Sequence, residues 1–224
     1  MIERRLKYLF ISITLCAMSL AHSSDTINLP GPRLESDISV ERAIHNRRSI
    51  REFSNKPLSL EEISQLLWSA QGMTDDEGLR SAPSAGALYP LVLYLVVGNV
   101  KGLKPGTYQY SPDGHQLLRI KEGDSRKELA EAAYQQLWVK DSAALLIFSA
   151  IEKKTTRKYG QRGIRYIHIE VGHSAQNVFL QAQSLGLGAA VVGAFDDSHI
   201  ETILNLPAGE QVLYLMPIGR PQTE

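Results

Sequence analysis

The segment from residue 164 to 185 constrains the fold most, because it is the longest helical pattern in the chain and contains no proline. Its apolar residues recur at the three- and four-residue spacing of one helical face. Gly186 and Gly188 follow the segment and predict the end of the helix. The apolar face comprises Ile167, Val171, Ala175, Val178, Phe179, Ala182 and Leu185.

Apolar segments with the composition of strands lie on both sides of this helix. Residues 91 to 100 (LVLYLVVGNV) and 143 to 151 (AALLIFSAI) predict buried strands. Residues 107 to 120 contain a Pro-Asp-Gly turn and predict a hairpin. Residues 189 to 195 (AAVVGAF) and 211 to 219 (QVLYLMPIG) predict two further strands. Buried strands together with long helices indicate a single α+β domain.

Near the N-terminal end of the domain, residues 38 to 47 predict a first helix. Ser39 is a candidate N-cap. At helical spacing, Val40, Ala43 and Ile44 are expected to face inward.

Further helices are indicated by capping signals. Ser59 and Glu62 form a capping-box pattern before the run LEEISQLLWSAQG, and Ser198 with Glu201 predicts the start of a short helix. Residues 125 to 138 also have a helical pattern.

The first residues of the chain differ in character from the rest. Arg4, Arg5 and Lys7 precede a short apolar run, residues 8 to 21, which is shorter than the roughly 20 residues of a membrane span. This arrangement predicts a secretory signal peptide over residues 1 to 23, and hence export to the periplasm, with an uncleaved membrane anchor as the alternative.

The remainder divides into a polar leader, residues 24 to 36, and one domain, residues 37 to 221. Lysine and arginine number 24 and aspartate and glutamate 24, so the chain lacks the basic excess of a nucleic-acid-binding protein. Cys16 is the only cysteine and falls in the predicted signal peptide. The mature chain therefore has no disulfide, thiolate metal site or cysteine nucleophile.

The sequence HIEVGH brings His168, Glu170 and His173 close together along the chain. The two histidines are five residues apart, whereas a zinc protease helix needs them four apart on one face. A zinc deaminase needs a later Cys-x-x-Cys, and no cysteine is available. We therefore interpret these residues as polar positions around a long helix.

The segment RRSIREF concentrates Arg47, Arg48 and Arg51 around Ser49, close to the predicted end of the first helix. Cations in a last helical turn interact favourably with the helix dipole, by about 0.3–1 kcal/mol. Guanidinium groups and a hydroxyl are also donors suited to a phosphate. From spacing alone, both interpretations stay open.

Four segments occur in order: RRSIREF, PSAGALYP, GLGAAVVGAFDD and PIGRP. In this order the chain resembles the flavin nitroreductase family from about residue 38 to 221. The segments PSAGALYP, KYGQRGIRYIHIEVGHSAQN and LYLMPIGRP resemble most closely the SagB-type dehydrogenases of that family.

The resemblance implies a nitroreductase-like α+β sandwich with a central mixed or antiparallel sheet flanked by helices. It also implies a homodimer with FMN at the subunit interface. It assigns the FMN phosphate and ribityl chain to the arginine-rich segment, and other positions to the vicinity of the flavin. The implied cofactor-binding residues are Arg47, Arg48, Ser49, Arg51, Pro83, Ser84, Ala85, Gly86, Leu88, Val192, Gly193, Ala194 and Arg220.

The implied activity is that of an FMN-dependent oxidoreductase that transfers a hydride through flavin N5. In SagB-like enzymes a Lys-Tyr pair deprotonates an azoline ring, and Lys158 with Tyr159 matches that pair. The substrate is then a small molecule or a peptide. A non-catalytic exported flavin-binding protein and an azoline dehydrogenase are the alternatives. Export would separate the enzyme from NAD(P)H, so the electron donor is left open.

Overall fold

The structure, a computed structural model, describes residues 26–222. Its centre is a seven-stranded sheet in the order β1-β4-β3-β2-β5-β7-β6, and every strand pair is antiparallel. The expected mixed or antiparallel sheet is thus antiparallel. The strands are β1 Thr26–Asn28, β2 Leu91–Val97, β3 Gly106–Ser111, β4 Gln116–Glu122, β5 Ala144–Ile151, β6 Gly188–Ala189 and β7 Glu210–Gly219.

Seven α-helices flank the sheet within the described residues. They are α1 Val40–Asn46, α2 Leu60–Gln71, α3 Arg126–Ala132, α4 Trp138–Asp141, α5 Lys153–Tyr159, α6 Arg162–Ser184 and α7 Asp197–Leu204.

The two predicted central strands are confirmed and are apolar on both faces. β2 pairs with β5 from Leu91 opposite Ala150 to Val97 opposite Ala144. One face packs against α2 and α6, and the other against α3 and α7. Since neither face of these strands meets water, their near-continuous apolar sequence follows from their place in the middle layer. The predicted sandwich is confirmed.

Helix α6 confirms the pattern found in the sequence, and its apolar face lies in the core against α2 and the sheet. The capping box of α2 is also present: the Ser59 hydroxyl accepts the Glu62 N–H, and the Glu62 carboxylate accepts the Ser59 N–H. Both elements are encoded locally, by periodicity and by a cap.

Helix α1 is shorter than predicted, and only one of its three expected inward residues is buried. Ala43 is 4% exposed, whereas Val40 is 63% and Ile44 58% exposed. The helix has only seven residues and contacts α6, so one small side chain covers its contact face. Two apolar side chains therefore lie on the surface of the single chain.

The predicted helix over residues 125 to 138 is wrong in its middle. It divides into α3 and α4, because Tyr134 and Gln135 adopt positive φ angles of 55° and 61°. Two consecutive left-handed residues that are not glycine are incompatible with a continuous helix.

The segment from residue 189 to 195 is not a continuous strand either. Only Ala189 belongs to β6, and Val192 forms an isolated bridge with Leu215 of β7. The short helix near residue 198 is present as α7, but its N-cap is Asp196, whose carboxylate accepts the His199 N–H at 3.0 Å. Ser198 instead donates its hydroxyl to that carboxylate.

The predicted leader, residues 24 to 36, contacts the domain where it is described. Thr26–Asn28 forms the edge strand β1 against β4, and the Arg33 N–H donates to Gln65 Oε1 of α2 at 2.8 Å. The signal peptide predicted over residues 1 to 23 lies outside the described residues. Within residues 26–222, no helix is long and apolar enough to cross a membrane.

The position of the α7 cap gives a stability prediction. Asp196→Ala removes the acceptor of the His199 amide and is expected to lower the free energy of unfolding by about 1 kcal/mol. The matched control Ser198→Ala is expected to cost less than half of that. Urea denaturation of both variants measures the difference, and an equal or larger loss in the Ser198 variant would assign the cap to the serine.

Candidate functional site

The arginine segment, residues 47 to 51, leaves α1 and joins the edge of the sheet. Ser49 forms a parallel bridge with Ala189 of β6, and the Ile50 N–H donates to the Ala189 carbonyl at 2.9 Å. The Ser49 side chain is exposed. The segment therefore extends the sheet beyond β6 and presents its side chains at that edge.

The three arginines of this segment have different surroundings. The Arg48 guanidinium folds back onto the last turn of α1 and donates to the carbonyls of His45 and Arg47 at 3.0 and 2.8 Å. Arg47 lies over the ring of Phe179 in α6 and Arg51 over the ring of Trp138, with 5.2 and 5.3 Å to the ring centroids. The helix-end interpretation therefore fits Arg48 alone.

Within residues 26–222, no carboxylate lies within 4.0 Å of these three guanidinium groups. Arg47 and Arg51 are held by aromatic rings, which orient a guanidinium and leave its N–H donors available. The arrangement is thus a pair of oriented, uncompensated cations beside the exposed hydroxyl of Ser49 at one edge of the sheet.

The loop between α3 and α4 joins the arginine segment to the second predicted group, Val192 to Ala194. Arg51 stacks on Trp138 at the loop's end, and Gln136 donates its amide to the Ala194 carbonyl at 3.1 Å. Val192 is buried and bridges β7, whereas Gly193 and Ala194 are exposed. Sequence analysis missed this loop because a helical pattern conceals it.

Arg220 does not join the other arginines. Its guanidinium donates to both oxygens of Glu62 at 2.8 and 3.0 Å and to the Pro57 carbonyl at 3.3 Å. Glu62 is the carboxylate of the α2 capping box, so Arg220 is held by a structural partner. Its expected reach toward a phosphate has no support in this geometry.

The Ser84 loop, residues 83 to 89, forms the other predicted group and contains a 3₁₀ turn, Ala85–Ala87. Ser84 donates its hydroxyl to Glu170 Oε2 of α6 at 2.6 Å and accepts the Tyr89 N–H at 2.9 Å. Pro83 and Gly86 are exposed, and Ala85 and Leu88 are half-buried. The loop is therefore anchored on α6 by its serine.

Lys158 and Tyr159 converge on this loop. A Cβ built on Gly86 would lie 2.7 Å from the Tyr159 hydroxyl and 2.9 Å from Lys158 Nζ. Gly86 also has a φ of 67°, a left-handed conformation that favours glycine. Tyr159 is packed edge-on against Tyr166 of α6, with 5.1 Å between ring centroids.

The two groups contact α6 at Phe179 and Glu170, nine residues apart. Nine residues correspond to a rise of about 13 Å and a rotation of about 180°. Both side chains are buried, so they mark opposite edges of the buried face of α6. One chain therefore places the arginine segment and the Ser84 loop on different sides of its longest helix.

The three polar residues of the HIEVGH segment differ in their exposure. His168 and His173 are exposed, as expected for polar positions around the helix, and no cluster of metal-ligand residues occurs within residues 26–222. Glu170 departs from that expectation because it is only 3% exposed. Burial raises the pKa of Glu170 to about 7, against the lowering effects of the Ser84 hydroxyl and Arg80.

The family of the chain follows from comparison with known proteins. The family model described as Nitroreductase family matches residues 44–220. The chain belongs to the nitroreductase family. Its sequence is 46% identical over 196 residues to a protein of Methanocaldococcus jannaschii that is named as a nitroreductase, covering 88% of this chain and 98% of that protein.

Two further similarities place the chain within the nitroreductase family. A solved structure of a protein from Ralstonia eutropha JMP134, also named as a nitroreductase, has a TM-score of 0.78 at 27% identity, covering 89% of this chain and 90% of that one. The microcin B17-processing protein McbC of Escherichia coli is 31% identical over 66% of this chain. The match spans only 57% of McbC.

The buried carboxyl of Glu170 gives a pH-dependent stability. Because its pKa is raised from 4.5 to about 7, the folded chain holds a proton that the unfolded chain releases. Its contribution to stability is complete below pH 4.5 and is lost as the pH rises to about 7. The variant Glu170→Gln stays neutral and avoids this loss.

We compare the free energy of unfolding of Glu170→Gln with that of the wild type. The difference, variant minus wild type, is expected to increase by about 2–3 kcal/mol between pH 4.5 and 8. Urea denaturation across this range measures the difference, with Glu131→Gln on the exposed surface of α3 as the control. A difference that is independent of pH would mean that Glu170 ionises normally.

Proposed function

We propose that this chain is an FMN-dependent oxidoreductase that transfers a hydride between two substrates through flavin N5. The observation that carries the proposal is that Arg47 and Arg51, which flank the exposed Ser49 in the chain, have oriented guanidinium groups with no carboxylate partner within residues 26–222. An anion suits this edge of the sheet, and membership of the nitroreductase family supports the FMN phosphate as that anion.

The residues present fit FMN. Bound FMN would supply a centre at N5 that accepts and gives a hydride. Arg47, Arg51 and Ser49 would hold its phosphate and ribityl chain, and Arg48 would fix the end of α1 behind them. Gly193 is exposed, and a Cβ there would meet only the Tyr214 ring, at 3.6 Å or more. The Val192 N–H donates to the Leu215 carbonyl at 2.8 Å, so the backbone N–H groups that a flat ring could approach are those of the exposed Gly193 and Ala194.

A homodimer would complete the site. In one chain the arginine segment and the Ser84 loop lie at opposite edges of α6, so a second copy would bring its own Ser84 loop to the arginine segment of the first. Exposed apolar side chains offer a surface for that contact: Leu34, Val40, Ile44 and Ile169 are 81%, 63%, 58% and 49% exposed. Burying them in a dimer would be favourable.

The first test is flavin binding. The purified protein is expected to be yellow with one FMN per subunit, and Arg47→Ala and Ser49→Ala are each expected to weaken binding by roughly 10- to 150-fold through loss of a charged hydrogen bond. Fluorescence titration of apoprotein with FMN measures the affinity. Arg42→Ala, an exposed arginine on α1, is the control and should bind FMN like the wild type.

A colourless protein that ignores added FMN would contradict the proposal as a whole. Bound FMN with no turnover by any donor and acceptor would instead support a non-catalytic flavin-binding protein.

The second test asks whether one site uses two subunits. Arg47→Ala and Ser84→Ala subunits, each expected to keep at most about a tenth of wild-type activity alone at limiting FMN, are unfolded, mixed and refolded together. Random pairing makes half of the dimers mixed, each with one intact site, so about a quarter of wild-type activity should return. Activity that stays at the level of the separate variants would place both groups in one subunit, and a monomer in sedimentation would exclude the dimer.

A second candidate activity, dehydrogenation of an azoline ring in a peptide, is favoured by the convergence of Lys158 and Tyr159 on Gly86. A neutral lysine amine or a tyrosine phenolate there could accept the ring proton, and bound FMN would supply the hydride acceptor that completes the two-electron oxidation. The similarity to McbC, a protein named for processing microcin B17, supports a peptide substrate.

Lys158→Ala and Tyr159→Phe are expected to lower azoline oxidation at least about 100-fold, because both remove a proton-transfer group. They should leave reduction of the bound flavin by dithionite unchanged. Lys153→Ala, exposed on the same helix, is the control. Azoline oxidation that survives in both variants would remove the pair from catalysis.

Export is part of the proposal and determines the electron partner. A periplasmic enzyme would use a quinol or an exported redox protein in place of NAD(P)H. Fractionation of cells that produce the full chain, with mass determination of the mature N-terminus, tests for cleavage near residues 21 to 24. Recovery of the uncleaved chain in the cytoplasmic fraction would contradict export and restore NAD(P)H as the donor.

A further inference from the structure

The carboxyl group of Glu170 has an unusual environment that the proposed chemistry does not explain. It is 3% exposed, and its Oε2 accepts the Ser84 hydroxyl, while Oε1 has no hydrogen-bond partner within residues 26–222. Arg80 is the cation that acts on it, yet the Arg80 guanidinium donates to Gln71 Oε1 at 2.9 Å. A buried acid without an ion pair is costly, so a purely structural role would be better served by an apolar residue.

The Glu170 carboxyl makes one hydrogen bond within residues 26–222, and its donor is Ser84 of the Ser84 loop. Ser84 has a single hydroxyl proton, and donating it to Glu170 directs the oxygen lone pairs toward the Tyr89 N–H, 2.9 Å away. The Ser84 carbonyl also accepts the Ala87 N–H at 3.0 Å. Ser84 therefore closes both ends of the turn, and Glu170 determines which way its hydroxyl points.

The backbone of this loop needs such support. Gly86, Ala87 and Tyr89 have φ angles of 67°, 54° and 44°. These left-handed conformations strain the backbone at the alanine and the tyrosine. Positive φ at three of four consecutive residues is held only where surrounding contacts impose it. Arg80 and Lys154 hold Tyr89 at the end of the loop, and Glu170 holds Ser84 at its start.

We propose that Glu170 is the positioning residue of the Ser84 loop. By accepting the hydrogen bond from the Ser84 hydroxyl, it fixes the turn that holds Gly86 against Lys158 and Tyr159. The catalytic consequence rests on the proposed function, whereas the structural consequence does not. The neutral and the ionised carboxyl both accept this bond, the ionised form more strongly. Arg80 is the charged group that acts on this carboxyl, and Arg80 in turn interacts with Tyr89 and Tyr110. The titratable groups of α5 that face the loop are Lys154, Lys158 and Tyr159.

Hydrogen exchange of the Tyr89 and Ala87 amides tests the positioning in the purified protein, with or without flavin. Ser84→Ala removes the acceptor of the Tyr89 N–H, and Glu170→Ala removes the partner that orients the Ser84 hydroxyl. The loosened turn is expected to let both amides exchange at least about ten-fold faster. Glu170→Gln keeps an acceptor and should stay within about three-fold of the wild type. The double Ala variant should exchange no faster than the single ones, because the two residues act as one unit.

His173→Ala, exposed on α6, is the matched control, and amides of β5 report global unfolding. If Glu170→Ala also accelerates exchange of the β5 amides, that variant is globally destabilised. Ser84→Ala then tests the proposal alone, because the Ser84 side chain is only half-buried and its loss should not unfold the protein. Exchange at Tyr89 within about two-fold of the wild type in Ser84→Ala would overturn the proposal.

The flavin-loaded enzyme tests the catalytic consequence separately. Ser84→Ala and Glu170→Ala are expected to lower kcat about ten-fold or more with little change in KM, and Glu170→Gln should recover most of it, as for a residue that aligns catalytic groups. Faster exchange with unchanged kcat would make the role structural and overturn the catalytic part. A protein that binds no FMN would fail the proposed function and leave the exchange result standing.

Discussion

The packing of α6 across the sheet is the constraint on which both parts of the candidate site depend. Its buried face spans half of the helix circumference, with Glu170 at one edge and Phe179 at the other. The Phe179 ring contacts the Arg47 guanidinium, and the Glu170 carboxyl accepts the Ser84 hydroxyl of the Ser84 loop. Because a helix fixes the angle and rise between its residues, the separation of the two groups is set by the backbone of α6.

Much of the scaffold could be predicted because it is encoded by short-range patterns. The apolar face of α6, the continuous apolar runs of β2 and β5, and the capping box of α2 each specify their structure within a few residues. The errors fall where tertiary contacts override the local pattern. Tyr134 and Gln135 turn left-handed in a segment with helical composition, and Gln136 is tied to Ala194, 58 residues away.

The segments of the candidate site could be predicted from the sequence. The contacts that each of their side chains makes could not. RRSIREF indicated either a helix end or a phosphate site. In the structure Arg48 covers the end of α1, while Arg47 and Arg51 lie over the rings of Phe179 and Trp138. Arg220 is held by Glu62, 158 residues away, in a pairing that no local pattern reveals. Likewise, the burial of Glu170 depends on the loop that folds over it.

The zero net charge of the chain conceals two local imbalances that α6 keeps apart. Within residues 26–222 no carboxylate compensates Arg47, which lies over Phe179 at one edge of the helix, and Glu170 places a carboxyl in a poorly solvated position at the other. An arginine and a carboxylate within a few ångströms would pair. Phe179 and Glu170 are instead separated by about 13 Å of rise and half a turn of α6, so the arginine keeps its N–H donors available and the carboxyl keeps its raised pKa of about 7.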